Sequence, residues 1–151
     1  MCAMKSFITN LLRPGSRLSA LEVTVLNCVK GHLDARIAAL WDSQVQAINK
    51  VQRLAGGVEV NFYRMKNGRP SFDDELAFPN KAQELPVGKV RLELPNMEAK
   101  LSAVVWCVKG FVFSIEYDGS VDYFDEAAGL NPCPEFRVSC ELTADLTAAA
   151  R

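Results

Sequence analysis

Apolar residues recur first at helical spacing and later at every second position, so the chain reads as helices followed by strands. Ser19-Ala20-Leu21-Glu22 has the form of a capping box, in which the serine hydroxyl accepts from the backbone of residue 22 and the glutamate reaches back. Leu21, Val25, Cys28, Val29 and His32 then step by three and four. The run Val23-Thr24-Val25 is β-branched and alternating, which leaves a strand open over the same residues. From Leu33 the stripe Leu33, Ile37, Leu40, Trp41, Val45, Ile48 and Val51 predicts an amphipathic helix over 33–53, of about five turns, ended by Gly56-Gly57. Gly31 either divides the 20–53 region into two helices or weakens a single one.

Beyond the glycines the period falls to two. Val58, Val60 and Phe62 alternate with Glu59, Asn61 and Tyr63, giving a first strand. Residues 66–88 are rich in proline, glycine, asparagine and aspartate and read as a long loop. Val90, Leu92 and Leu94 form a second strand, ended by Pro95-Asn96. Residues 100–108 form a third, apolar on both faces and therefore expected to be central and covered on both sides. Lys109-Gly110 is a two-residue hairpin turn into a fourth strand over 111–118. Asp118-Gly119 marks another tight turn, with a short strand expected over 121–124. Phe136, Val138, Cys140 and Leu142 alternate with polar residues as a last strand, and 143–151 look frayed. The expected fold is α+β: an N-terminal helical region of one long or two helices, packed on an antiparallel sheet of about five strands with hairpin connections.

Length places all of this in one domain over 19–151, behind a basic leader over 1–18 that carries Lys5, Arg13 and Arg17. Within the leader, Phe7, Ile8, Leu11 and Leu12 suit one or two helical turns. A chain of 151 residues buries roughly 68–70% of its unfolded surface, so its core needs no covalent staple. No apolar run approaches the length of about 18 that spans a bilayer, and the N-terminus has no signal-peptide core, so no membrane partner is expected. The five cysteines are odd in number and form no C-x-x-C pair, which suits free thiols in the cytoplasm, although a Cys133–Cys140 disulfide is the alternative.

Net charge is −1 but unevenly spread. Residues 1–53 carry +4, residues 54–110 carry +1, and residues 111–151 carry −6. The acidic share lies largely in Glu116, Asp118, Asp122, Asp125 and Glu126, which are the candidate partner-binding residues. If they share a face, it attracts a basic protein and repels nucleic acid. The competing reading is a solvated sheet edge whose charges discourage aggregation. The cluster does not match a calcium loop, and no phosphate-binding or nucleophile-elbow motif occurs. Asn61, Tyr63 and Arg64 are weaker recognition candidates at the end of a strand.

The only histidine, His32, follows Cys28 by one helical turn. This spacing allows a Cys–His nucleophile pair, and equally a small thiol in the core beside a marginal histidine. Zinc would need further ligands from Cys107, Cys133 or Cys140, whose spacing does not favour it, so no cofactor or metal is expected. The sequence therefore points to a non-enzymatic cytoplasmic module that docks a basic protein, as a bacterial immunity or antitoxin-type protein docks a toxin. The alternatives are an enzyme built around Cys28 and His32 or the acidic hairpin, and a homodimer or larger homo-oligomer joined through an uncovered sheet face.

Overall fold

The structure, a computed structural model, describes residues 18–130 and 134–148. Two helices come first, α1 (Ala20–Lys30) and α2 (Ala35–Gln46). The capping box forms as read: Ser19 Oγ accepts from the Glu22 amide at 3.1 Å, and the Ser19 amide donates to Glu22 Oε1 at 2.8 Å. This cap settles Val23-Thr24-Val25 as helix, where Val23 and Val25 are fully buried. Gly31 ends α1, and Asp34 caps α2 by accepting from the Ile37 amide at 2.8 Å. The chain therefore holds two helices here. Of the leader, Leu18 is buried and 1–17 lie outside the described residues.

The helix expected over 33–53 stops at Gln46, and the residues that would have been its last turns form β1 (Lys50–Arg53). Asn49 makes the break. Its side chain both donates to the Met65 carbonyl and accepts from the Met65 amide, at 2.9 and 2.7 Å. Its own amide donates to Tyr63 O, so it already belongs to the sheet. Val51 alternates with polar Gln52 as readily as it continues the helical stripe, and pairing with β2 (Glu59–Tyr63) decides the matter.

The segment read as a loop over 66–88 is more ordered than expected. Asn67-Gly68 turns a short hairpin of β3 (Met65–Lys66) and β4 (Arg69–Pro70). A single helical turn follows at Asp74–Leu76, and Phe78 is completely buried, stacked on Trp41 with ring centroids 6.0 Å apart. Then come β5 (Leu85–Leu94), β6 (Ala99–Val108) and β7 (Phe111–Tyr117). Lys109 and Gly110, with φ of 52° and 87°, make the hairpin turn.

The strand expected over 121–124 is instead a helix, α3 (Asp122–Ala128). Val121, Phe124, Ala127 and Ala128 are all buried, a helical spacing that outweighs the short alternation. The last strand, β8 (Arg137–Leu142), pairs with β5. The tail after it is docked rather than frayed over 143–148: Thr143 N donates to Val87 O, Asn80 N to Leu146 O, and Leu146 is buried.

The sheet has six antiparallel strands, one more than expected, in the order β1-β2-β7-β6-β5-β8. Val60, Phe62, Val90, Leu92, Leu101, Ala103, Val105 and Ile115 are buried with the apolar residues of α1 and α2 in one contiguous core. The opposite face is uncovered at its centre. Val104, Trp106 and Val108 are only partly buried, so β6 is central but not sealed on both sides. Tyr63 and Phe113 meet edge-to-face at 5.5 Å beside them.

Polar groups lock α2 to the sheet. Gln44 Nε2 donates to the carbonyls of Leu76 and Gly110, at 2.6 and 2.9 Å, and its Oε1 accepts from the Val112 amide at 2.9 Å. Arg64 is buried beside it. Its Nε donates to Gln44 O at 3.0 Å, its Nη1 to Val112 O at 2.9 Å, and its guanidinium lies over Phe111. Burial without a carboxylate partner lowers Arg64 to about 10.

Candidate functional site

The fold divides the five acidic candidates between two surfaces. Ile115 and Tyr117 of β7 face the helices, so Glu116 faces the uncovered side of the sheet, opposite Glu59 and Val104. Asp118 lies just past the strand end, and its Oδ1 accepts from the Ser102 amide at 2.9 Å. It is a turn residue as well as an exposed acid. Asp122, Asp125 and Glu126 sit together on α3, spaced by three and four. The expected acidic hairpin therefore does not exist: Asp118-Gly119 leads into a helix, and the helix carries the cluster.

Tyr123, 62% exposed, lies to one side of these acids, one turn before Glu126 and away from Asp125, and Leu130 just past α3 is 55% exposed. The turn between β1 and β2 adjoins the start of α3: a β-carbon placed on Gly57 would stand 3.1 Å from Val121 Cγ2. That turn carries two more exposed apolar side chains, Leu54 and Val58.

Beneath this surface lies an ion network that the sequence reading missed. Glu22 is 3% exposed and accepts two bonds from Arg53, Nε to Oε2 at 2.9 Å and Nη2 to Oε1 at 2.8 Å. The Glu22 carboxylate thus caps α1 and anchors an edge strand at once. Asp125 lies close by. Partial burial, and then the neighbouring Glu22 charge, hold its carboxyl above the usual range, with Arg53 pulling the other way. Tyr117 is pushed up by burial and by the same two carboxylates, and its hydroxyl has no hydrogen-bond partner among the described residues. The capping box was legible. That its glutamate also binds an arginine 31 residues away was not, because strand β1 had been read as helix.

Cys28 and His32 do not meet through their side chains, as the nucleophile pair allowed by their spacing would require. His32 Nδ1 donates to the Cys28 carbonyl at 3.0 Å, and the side chain beside the Cys28 thiol is Cys140. Cys140, like Cys28 and Cys107, is a free thiol, so it is not bridged to Cys133, which lies outside the described residues. Cys107 is wholly buried, and burial pushes its thiol far up. Among the described residues, no group of three or more histidine, cysteine or acidic side chains converges on a point where a metal would sit. Asn61 and Arg64, read as surface candidates, are 8% and 9% exposed, and Arg64 is structural.

Two clefts flank α2. One, of about 430 Å³, is lined by Arg36, Leu40, Ser43, Asp74, Phe78 and Lys81. The other, of about 210 Å³, has His32, Leu33 and Asp34 on one wall and Leu142, Asp145 and Thr147 on the other. No helix of the described residues is long and apolar enough to cross a membrane. Compared with known proteins, the chain matches no family model, no curated protein and no solved structure.

Proposed function

We propose that this protein is a non-catalytic docking module of the cytoplasm that binds a partner protein through the surface of α3, the partner presenting a basic patch. The observation that carries the reading is Tyr123, 62% exposed on α3 with Asp122 beside it in the chain and Glu126 one helical turn on. An exposed aromatic ring flanked by acids suits an interface anchor: the ring supplies contact area, and the acids select the partner and speed its approach. Leu54 and Val58 extend the apolar part of the surface. An immunity or antitoxin-type role, covering the phosphate-binding surface of a toxic nuclease, is the concrete form that fits an acidic face of this size.

The test is affinity capture from the native cell with the wild-type protein and two variants. Tyr123→Ala combined with Asp122→Lys and Glu126→Lys should abolish recovery of a stoichiometric basic protein, and high salt should release it from the wild type. Glu116→Lys, on the far face of the sheet, should leave recovery unchanged. Equal capture by the wild type and the α3 variant, or loss with Glu116→Lys alone, refutes this surface.

A further inference from the structure

Cys28 lies in the last turn of α1 and Cys140 on the outermost strand, 112 positions away in the sequence, yet the packing of α1 against β8 makes their side chains neighbours. The approach depends on Gly88. It pairs with Leu142 across β5 and β8, and a β-carbon there would stand 3.1 Å from Val29 Cγ2 and 3.5 Å from Cys140 Sγ. With only hydrogen at that position, α1 comes down onto the sheet, and Cys28, the residue before Val29, meets Cys140. Both cysteines are partly exposed, unlike Cys107. The cleft of about 210 Å³ is lined not by the cysteines themselves but by His32, one turn beyond Cys28, and by Leu142, two residues beyond Cys140. Their partial exposure at the margin of the core leaves the pair open to a small molecule, and the docking surface does not use it.

We propose that Cys28 and Cys140 are a reversible dithiol site, oxidised by a low-molecular-weight disulfide of the glutathione class. Cys28 attacks. The Cys140 S–H donates to it, and together with the nearby His32 charge this favours its thiolate over the opposing effect of burial. The Cys28 thiolate forms a bond to one sulfur of the incoming disulfide, whose S–S bond breaks and releases one thiolate, which takes up a proton. Cys140 then loses its proton to solvent and attacks Cys28 Sγ, and the second small thiolate leaves and is protonated. The balance is one protein dithiol and one disulfide giving one protein disulfide and two small thiols. The product ties the edge strand β8 to α1.

The experiment is incubation of the reduced full-length protein with oxidised glutathione, followed by intact mass and tryptic mapping. Cleavage after Lys5, Arg17, Lys30, Lys100, Lys109 and Arg137 leaves each of the five cysteines on its own peptide, so the bridge can be read directly. The expected result is a loss of two hydrogens and a cross-link between 18–30 and 138–151. The oxidised form should melt higher by roughly 5–15 °C, because the bridge closes a long loop. Cys140→Ser should stop at a stable glutathione adduct on Cys28. Cys28→Ser should leave Cys140 without an adduct over the same period. A cross-link to the Cys2 or Cys133 peptide, a wild-type protein that ends as an adduct without a bridge, or thiols that stay free each overturns the proposal. The wild-type map decides the question even if a variant fails to fold.

Discussion

Replacing Gln44 with leucine tests how α2 is held to the sheet. The side chain is wholly buried and keeps nearly the same volume on substitution, so little of the effect comes from a cavity. Three hydrogen bonds are lost. Gly110 O keeps the Phe78 amide as a partner, so its loss is small. The Val112 amide sits at the register shift between Trp106 and Cys107, where the ladder to β6 is interrupted, and it is turned toward Gln44. Stranding it costs about 1–3 kcal/mol, the lost Leu76 carbonyl bond adds about 0.5–1.5 kcal/mol, and the Gly110 bond adds about 0.5 kcal/mol at most. Burial of the leucine side chain in place of the amide returns about 1 kcal/mol. The net expectation is a loss of about 1–4 kcal/mol, a large part of the roughly 5–15 kcal/mol that holds a domain together. In urea, with a slope of about 2 kcal/mol per M, the midpoint should fall by about 0.5–2 M at unchanged slope. Gln46→Leu, exposed on the same helix, should leave the midpoint in place and so controls for helix propensity. A Gln44→Leu midpoint within about 0.25 M of wild type would show that the network adds no net stability.

Two further outcomes concern the Glu22 network. Arg53→Met removes the partner of a carboxylate that is 4% exposed, and because Arg53 itself is 44% exposed the loss belongs at the lower end, about 2–3 kcal/mol by denaturant titration; no change would mean that water replaces the guanidinium. Asp125→Asn reads the raised carboxyl. A folded value above the unfolded 3.8 means that the stabilising contribution is complete below that pH and is lost as pH rises through the folded value. The asparagine variant should therefore melt above wild type at pH 7, and the gap should close in acid, where Asp125 is neutral in both states. A gap that does not change with pH refutes the electrostatic account.

Local chemistry determined much of this protein from sequence alone. The Ser19–Glu22 capping box, the Ala35–Gln46 stripe, the alternation in β2, β5, β6, β7 and β8 and the Lys109-Gly110 turn each involve residues within a few positions of one another, so their patterns survive in one dimension. The α+β class followed from their order. Where two periods fitted the same residues, the tertiary structure chose. Val51 joined an edge strand because β2 offered it a ladder, and Val121 to Ala128 became a helix because that spacing buried four apolar side chains. Asn67-Gly68-Arg69-Pro70 reads as a turn in a long loop, and pairing across it makes that turn a short hairpin.

The candidate sites depended more heavily on the third dimension. Charge arithmetic located the acidic third of the chain, but only the alternation of β7 and the helix after it separate Glu116 from Asp122, Asp125 and Glu126. Cys28 was visible as a helical thiol, and the histidine one turn away was the one partner its spacing allowed. Its neighbour in the fold is Cys140, brought near because Gly88 lets a helix settle on the last two strands of the sheet. Sequence fixes spacing along an element. Which elements meet, and through which faces, depends on how all the apolar faces can be buried at once, and that is a property of the whole chain.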